Sequence, residues 1–117
     1  MFDSGASCHM TGDLNLIHEI KKIDSIAIGM PNGTHTLASQ EGSVVLDERI
    51  KLDKVLYVPS LKCNLVSIAK LCKELNCSVT FYDDFCVLQD RTSRTPIGVG
   101  KQSGGVYFFT KGSVEDK

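Results

Sequence analysis

The first acidic residue of the chain, Asp3, has a sequence context that suits acid–base chemistry. It follows the apolar Phe2 and begins the run Asp3-Ser4-Gly5-Ala6. A hydroxyl and a glycine after the acid allow a tight turn that directs the carboxylate inward and lets another backbone approach closely. The same residues are also typical of an Asx turn, in which the carboxylate only accepts a local backbone hydrogen bond. Both interpretations stay open at the level of this motif.

A second pair of reactive residues, Cys8-His9, lies beside this acid. Adjacent residues do not face each other easily and no third orienting group is evident, so a cysteine nucleophile with a histidine base is not expected here. The chain has five cysteines, an odd number, and none of them forms a C-x-x-C motif. This favours reduced, buried thiols in an intracellular protein over disulfides or a zinc site. No metal and no cofactor are predicted.

Composition and charge restrict the function classes. The chain has 117 residues, 13 Lys and Arg against 14 Asp and Glu, and a formal net charge of −1. This balance offers no general attraction to phosphate, so direct binding to nucleic acid is not expected. The apolar runs are far shorter than the ~20 residues that span a bilayer, and no leader-like segment precedes Asp3, so no membrane contact is expected. The pattern predicts one domain over residues 1–110 and a polar tail over 111–117.

Most of the chain has the patterning of short strands joined by turns. The strongest hairpin signal is P-N-G at residues 31–33, because Asn-Gly accepts the positive φ angles of a type I′ turn. Its strands would be residues 25–30 and 34–39. The remaining strands are predicted at residues 42–46, 50–58, 78–82, 85–89, 95–99 and 106–110.

One segment, residues 64–75, has the periodicity of an amphipathic helix. Asn64 is its predicted N-cap, and Asn76 suits a left-handed C-terminal stop. A weaker helical turn, capped by Asp13, is predicted at residues 13–20. The residues of this turn predicted to face inward are Leu14, Ile17 and Ile20. Short strands in close succession with one helix predict an all-β fold, either a barrel or a sandwich.

Four motifs resemble the protease-like β-barrel domain in the Pol polyprotein of copia-type LTR retrotransposons, the tobacco TNT-type elements in particular. They are D-S-G-A-S-C-H-M-T at 3–11, P-N-G at 31–33, V-L-Y-V-P at 55–59 and N-L-V-S-I at 64–68. Their order is also similar to that of retroviral aspartic proteases, which have an active-site Asp, a flap hairpin, a long strand and an apolar pair before the single helix. The resemblance extends to G-G-V-Y-F at 104–108.

The resemblance implies a small closed barrel of the retroviral aspartic protease type, with one α-helix at about residues 64–75. It also implies two carboxylates that lie about 3 Å apart and share a proton, one acting as general base and the other as general acid in peptide-bond hydrolysis. The chain has a single D-S-G, so the second carboxylate would come from another copy across a twofold axis. The implied site consists of the catalytic Asp3, its supports Ser4, Gly5 and Ala6, the flap Pro31, Asn32 and Gly33, and the second motif Leu65, Val66 and Ser67.

By the same resemblance, the domain would cleave its own Gag-Pol polyprotein as a homodimer in the cytoplasm, within virus-like particles if the element is active. Retroviral proteases have glycine where this chain has Ser67, but copia-type elements often do not. Relatives usually carry an apolar strand before the aspartate, where only Met1 and Phe2 stand here, which predicts a truncated strand and weak or no proteolysis. The alternative is an inactive remnant or spacer that binds a peptide or partner by strand addition.

Overall fold

The computed structural model describes residues 1–29 and 33–110. Pro31 and Asn32 of the predicted flap, and the predicted tail at 111–117, lie outside the described residues. The described part contains one α-helix, α1 (Ile68–Leu75), and a 3-10 helix (Leu14–Leu16). Its strands are β1 (Phe2–Asp3), β2 (Met10–Thr11), β3 (His18–Gly29), β4 (His35–Asp47), β5 (Ile50–Tyr57), β6 (Val66–Ser67), β7 (Cys77–Phe81), β8 (Phe85–Asp90), β9 (Pro96–Ser103) and β10 (Val106–Thr110).

The N-terminal sheet has the strand order β2-β5-β4-β3. Strands β3 and β4 form the predicted hairpin, with Gly29 paired to His35 nearest its tip. The predicted strands 34–39 and 42–46 prove to be one continuous strand, β4, of 13 residues. Gly42 explains the continuity, since a Cβ there would lie 2.3 Å from Cγ2 of Ile17. The glycine therefore lets the chain before β3 cross closely over β4 without ending it.

The C-terminal sheet is an antiparallel meander with the strand order β10-β9-β8-β7. Its four strands confirm the predictions at 78–82, 85–89, 95–99 and 106–110, with shifts of a few residues at their ends. The turn between β8 and β9 is stabilised by Asp90, whose Oδ1 accepts hydrogen bonds from the amides of Thr92 and Ser93 at 2.8 and 2.9 Å. These bonds hold the pKa of Asp90 below its ordinary value of 3.8.

The helix is shorter than predicted, and Asn64 is not its N-cap. Helix α1 begins at Ile68, and its N-cap is Ser67, whose Oγ accepts a hydrogen bond from the amide of Lys70 at 3.2 Å. Residues 65–67 are extended instead, because their backbone pairs with Met10 and with β1. The predicted C-terminal stop is confirmed, since Asn76 has φ 50° and ψ 52°. In the described part of the chain, no helix is long and apolar enough to span a membrane.

The predicted helical turn at residues 13–20 is confirmed only in its first half. Asp13 caps the 3-10 helix by accepting a hydrogen bond from the amide of Asn15 at 3.0 Å. Ile17 is buried, but Leu14 and Ile20 are 39% and 42% exposed, so their inward orientation was wrong. The reason is that β3 begins at His18 and replaces the helical period with the alternation of a strand.

The hydrophobic core has two parts. The larger one joins both four-stranded sheets to the helix, and Ile50, Leu71, Cys86 and Leu88 in it are all fully buried. The smaller one contains Ile28, Ala38, Leu56 and Val58, between the β3–β4 hairpin and the end of β5.

An all-β fold with one helix is confirmed, but the closed barrel is not what these sheets form. In the residues described, β2 and β3 are the two edges of one sheet, β7 and β10 are the edges of the other, and β1 pairs with β6 in a separate parallel ladder. Closure requires edge strands to meet in hydrogen-bonding register. The strand pattern had left a barrel and a sandwich open, and the closed barrel was implied only by the family resemblance.

Candidate active site

Asp3 ends strand β1, and its side chain is half-buried. The strand is held by register pairing of Asp3 with Ser67 and of Phe2 with Val66. Oδ1 of Asp3 accepts a hydrogen bond from the amide of Gly5 at 2.8 Å, which is the local bond of an Asx turn. Ser4 and Gly5 are exposed at this turn. The local geometry therefore fixes the carboxylate relative to the loop, and it leaves the outer side of the loop accessible.

The second motif contacts the aspartate loop directly, although about sixty residues separate them in sequence. Leu65 exchanges backbone hydrogen bonds of 2.8 and 2.9 Å with Met10, and the amide of Val66 donates to the carbonyl of Met1 at 2.7 Å. Ser67 is fully buried, and its Oγ donates to the carbonyl of Ala6 at 2.8 Å. The structure thus brings the D-S-G-A run and the L-V-S run together.

Behind this loop lies His9, which is fully buried. The amide of Ser67 donates to His9 Nδ1 at 3.0 Å, so Nδ1 is unprotonated and the proton of the neutral ring is on Nε2. Nε2 lies 3.0 Å from Oε1 of Glu74, to which it donates. Burial lowers the pKa of His9 below its ordinary value of 6.5, and this outweighs the opposing hydrogen bond to Glu74. Because both nitrogens are engaged, His9 is not a base for Cys8.

The hydrogen-bond network continues from His9 across helix α1 to strand β5. Glu74 also lies 3.7 Å from the ammonium of Lys70, one helical turn away. Lys70 Nζ in turn donates to the carbonyls of Asp53 and Lys54 at 2.6 and 3.2 Å. Lys54 has a positive φ of 53°, so the lysine reaches the backbone where β5 is locally irregular. The aspartate loop, the helix and β5 are therefore joined by one chain of polar contacts.

On the other side of Asp3, Phe2 packs against the C-terminal sheet and is 7% exposed. A Cβ at Gly100 would lie 2.8 Å from Cε2 of Phe2 and 2.4 Å from Sγ of Cys86. Such contacts leave no space for a side chain at residue 100. Phe2 thereby anchors the short strand that carries Asp3.

Of the predicted flap residues, Gly33 lies within the part of the chain described. Gly33 has a φ of 88°, consistent with the turn expected there, and nothing lies within 4 Å of a Cβ built on it. Pro31 and Asn32 cannot be compared, since they lie outside the described residues.

A cavity of about 230 Å³ lies between strands β4 and β5 and the second motif. Its wall is mostly apolar and includes Val44, Leu52, Leu65 and Val66. Asp3 is not among its lining residues, so the predicted catalytic carboxylate does not open into this cavity.

Sequence reasoning missed His9, Glu74 and Lys70 as parts of the site. A signal for His9 was present, since this histidine stands between the apolar residues Cys8 and Met10. In the fold, His9 and Thr11 are both buried. No comparable signal marked Glu74, whose charge suited a solvated helix face.

The comparisons with known proteins agree with the motifs. Residues 1–77 match the family model described as "Pol polyprotein, beta-barrel domain". The chain is 30% identical over 113 residues to the "Retrovirus-related Pol polyprotein from transposon RE2" of Arabidopsis thaliana, and 29% identical over 113 residues to the one from transposon RE1 of the same plant. Each alignment covers 92% of this chain and 8% of the relative. No solved structure matches the chain.

The family match covers well over half of the chain, and the two relatives extend the similarity through the C-terminal sheet. Both relatives are far longer, so the chain corresponds to a small segment of a Pol polyprotein. The resemblance to copia-type retrotransposon Pol polyproteins is thereby confirmed, and the chain belongs to the Pol polyprotein beta-barrel domain family.

Proposed function

We propose that this domain is an aspartic endopeptidase that processes its own Gag-Pol polyprotein, with Asp3 as its catalytic residue. The observation that carries the proposal is the clamp on the aspartate loop. Ser67 of the second motif pairs with Asp3 in β1–β6 and donates to the carbonyl of Ala6, so distant residues converge on the backbone around one carboxylate. Such convergence suits a group that must be held in one orientation for catalysis.

In the proposed reaction, Asp3 of one copy lies beside Asp3 of a second copy on a twofold axis. The two carboxylates share one proton. One takes a proton from water as the water attacks the scissile carbonyl, and the other protonates the carbonyl oxygen. No metal or cofactor takes part in this scheme.

The need for a second copy is supported by the sequence and by exposure. The chain has a single D-S-G, and Ser4 and Gly5 are exposed where a second loop would approach. Among the described residues beyond its chain neighbours, only Oδ1 of Asp3 lies within 4 Å of a Cβ built on Gly5, so the outer side of Gly5 is open. In the proposed dimer, each chain is related in architecture to the retroviral proteases, with its two sheets not closed into one barrel. The hairpin tipped by residues 31–33 closes over the substrate, and processing takes place inside the cell in virus-like particles.

A non-catalytic role is the second candidate, in which the domain is a spacer that binds a peptide or partner by strand addition. The observation that favours it is the edge of β3, which is 12 residues long. Among the strands that the structure describes, β3 has a sheet neighbour, β4, on one side only. An extended peptide pairing with such an edge gains main-chain hydrogen bonds.

The decisive experiment compares two aspartates with the same local geometry. Asp47 accepts a hydrogen bond from the amide of Arg49 at 2.8 Å, just as Asp3 accepts one from Gly5 at 2.8 Å. Asparagine preserves this acceptor at both positions, so Asp3→Asn and Asp47→Asn both keep their turns. The cleavage assay uses a chain to which the apolar strand that relatives carry before the aspartate has been added. Its cleavage of a Gag-Pol segment in trans should fall about 10²–10⁴-fold in Asp3→Asn, because a general acid–base group is lost. It should be unchanged in Asp47→Asn.

Two outcomes would contradict the proposal. Equal cleavage by Asp3→Asn and the wild-type chain would remove Asp3 from the mechanism. Specific activity that stays constant on dilution through the dimer dissociation range would show that a single copy contains the whole site. Binding of the segment without cleavage, and its loss when Lys22 of β3 is replaced by proline, would favour strand addition instead.

A further inference from the structure

The contacts of His9 suggest a role beyond packing. Its Nδ1 engages Ser67, which holds the loop after Asp3, and its Nε2 engages Glu74 of helix α1. Nδ1 accepts from the Ser67 amide and Nε2 donates to Glu74, each at 3.0 Å. Ser67 also donates to the carbonyl of Ala6 at 2.8 Å. A single buried ring thus lies two hydrogen bonds away from the aspartate turn.

We propose that His9 is a positioning residue for Asp3: its unprotonated Nδ1 holds the Ser67 amide, and Ser67 holds the turn that orients the Asp3 carboxylate. This inference rests on the proposed function, because the orientation of Asp3 matters to turnover only if Asp3 is catalytic.

Ser67 is positioned by its contacts inside the protein. Ser67 is fully buried, so its amide has to be paired inside the protein, and Nδ1 of His9 is the acceptor given by the structure. Removing that acceptor leaves a buried donor unpaired, which costs more than the bond itself contributed. The amide would then shift toward another partner and carry the Ser67 hydroxyl away from Ala6.

The imidazole ring of His9 has one arrangement only. Glu74 accepts from Nε2 and is itself held by Lys70, 3.7 Å away. Lys70 is fixed by the carbonyls of Asp53 and Lys54 on β5. Because the Nε2 side is fixed by α1 and β5, the ring cannot rotate to compensate when the Ser67 side changes.

The contact between the Ser67 amide and Nδ1 of His9 depends on the protonation of the His9 ring. A proton on Nδ1 turns it into a donor that faces the Ser67 amide, so two donors oppose each other. The charged groups that face His9 are Glu74 and Lys70 from α1 and Asp53 from β5. Burial keeps the pKa of His9 below 6.5, so the ring is neutral and the contact is intact at neutral pH. Acidification should release the turn.

Two amide variants separate the two sides of the ring. In His9→Asn, the side-chain oxygen stands at the branch position of Nδ1 and can still accept from the Ser67 amide. In His9→Gln, the longer side chain places its carboxamide near Glu74. The backbone amide of Ser67 is then left without its acceptor. Neither variant titrates, and both have the same chemical group, so each is the control for the other.

The experiment measures the amide signals of Gly5 and Ser67 by NMR in the 117-residue chain across pH. Cleavage of a Gag-Pol segment is measured across the same pH range with the same substitutions in a chain to which the apolar strand before the aspartate has been added. In the wild-type chain, both amide signals should titrate with the His9 ring. His9→Asn should remove this titration and retain a higher kcat at neutral pH than His9→Gln does. His9→Gln should shift the Gly5 amide at every pH and lower kcat about tenfold with little change in KM, the size expected for losing one hydrogen bond.

The outcomes are distinguishable. The inference would be overturned if the Gly5 amide signal changed neither with the His9 titration nor with either substitution. Equal kcat values in the Asn and Gln variants would overturn it as well. If no variant cleaves the segment, including the wild-type chain, but the Gly5 amide follows His9 as described, the proposed function fails and the control of the Asp3 turn by His9 is supported.

Discussion

Phe2, which precedes Asp3, packs into apolar surroundings on the C-terminal sheet, whereas residues 6–9, which follow Asp3, are held by hydrogen bonds. On the Phe2 side the contacts are with Gly100 and Cys86, and a Cβ at Gly100 would overlap both neighbours. On the other side, Ser67 and His9 make directional bonds of 2.8 and 3.0 Å. The two sides of one carboxylate are therefore fixed by different forces.

This difference predicts which of the contacts around Asp3 depend on pH and which do not. Apolar burial is not directional and does not change with protonation, so the Phe2 side should hold β1 at any pH at which the chain is folded. The hydrogen-bonded side needs a neutral His9, and its contribution ends when the ring is charged. Stability near Asp3 should thus come mainly from Phe2, and sensitivity to acid should come from His9.

The largest expected effect is on the apolar side. Phe2→Ala should lower the free energy of unfolding by about 3–5 kcal/mol, because a buried aromatic ring leaves a cavity that the tightly packed sheet cannot fill. The measurement is urea unfolding at neutral pH. Phe108→Ala is the control, since Phe108 is 39% exposed and should lose far less. Similar losses in both variants would show that Phe2 does not anchor β1.

A smaller loss of stability is expected when a side chain is added at Gly100, where the sheet meets Phe2. Gly100→Ala should cost about 1–3 kcal/mol by overpacking, because the new methyl group meets Cys86 and Phe2. The matched control is Gly29→Ala, where the nearest atom to a built Cβ is 3.8 Å away. Thermal unfolding compares the two variants. If Gly100→Ala left the stability unchanged, β1 would be able to move away from the C-terminal sheet at this point without cost.

The smallest effect is the pH dependence of the hydrogen-bonded side. Burial lowers the pKa of His9 in the folded state, so the unfolded chain binds the proton more readily below pH 6.5. The free energy of unfolding therefore decreases as the pH is lowered through this range. His9→Asn should flatten this part of the profile measured by urea unfolding.

The same profile has a second window that serves as a control. The pKa of Asp90 is lowered by hydrogen bonds from Ser93 and Thr92, so its contribution is present above pH 3.8 and is lost on further acidification. Asp90→Asn should change only this lower window. If Asp90→Asn also flattened the profile near pH 6, the assignment of that region to His9 would be wrong.

Much of the fold was predictable because its signals are local. The P-N-G hairpin, the meander after residue 77 and the stop at Asn76 follow from turn chemistry and strand alternation within a few residues. The N-cap was not predictable in this way. Asn64 and Ser67 are both good N-cap residues, and the choice between them was made by the pairing of residues 65–67 with Met10 and β1.

The candidate site shows the same division. The D-S-G-A run and its Asx-type turn are encoded in four consecutive residues, and the family match follows from motifs in a fixed order. The contacts of Ser67 with the aspartate loop, the burial of His9 and the contact of Phe2 with Gly100 link residues 58 or more positions apart. In the described part of the chain the edges of the sheets stay open, although the family resemblance implied a closed barrel. Local residues determine period, turns and caps, because those depend on neighbours along the chain. Which distant surfaces meet depends on what can be buried together, and only the folded molecule decides that.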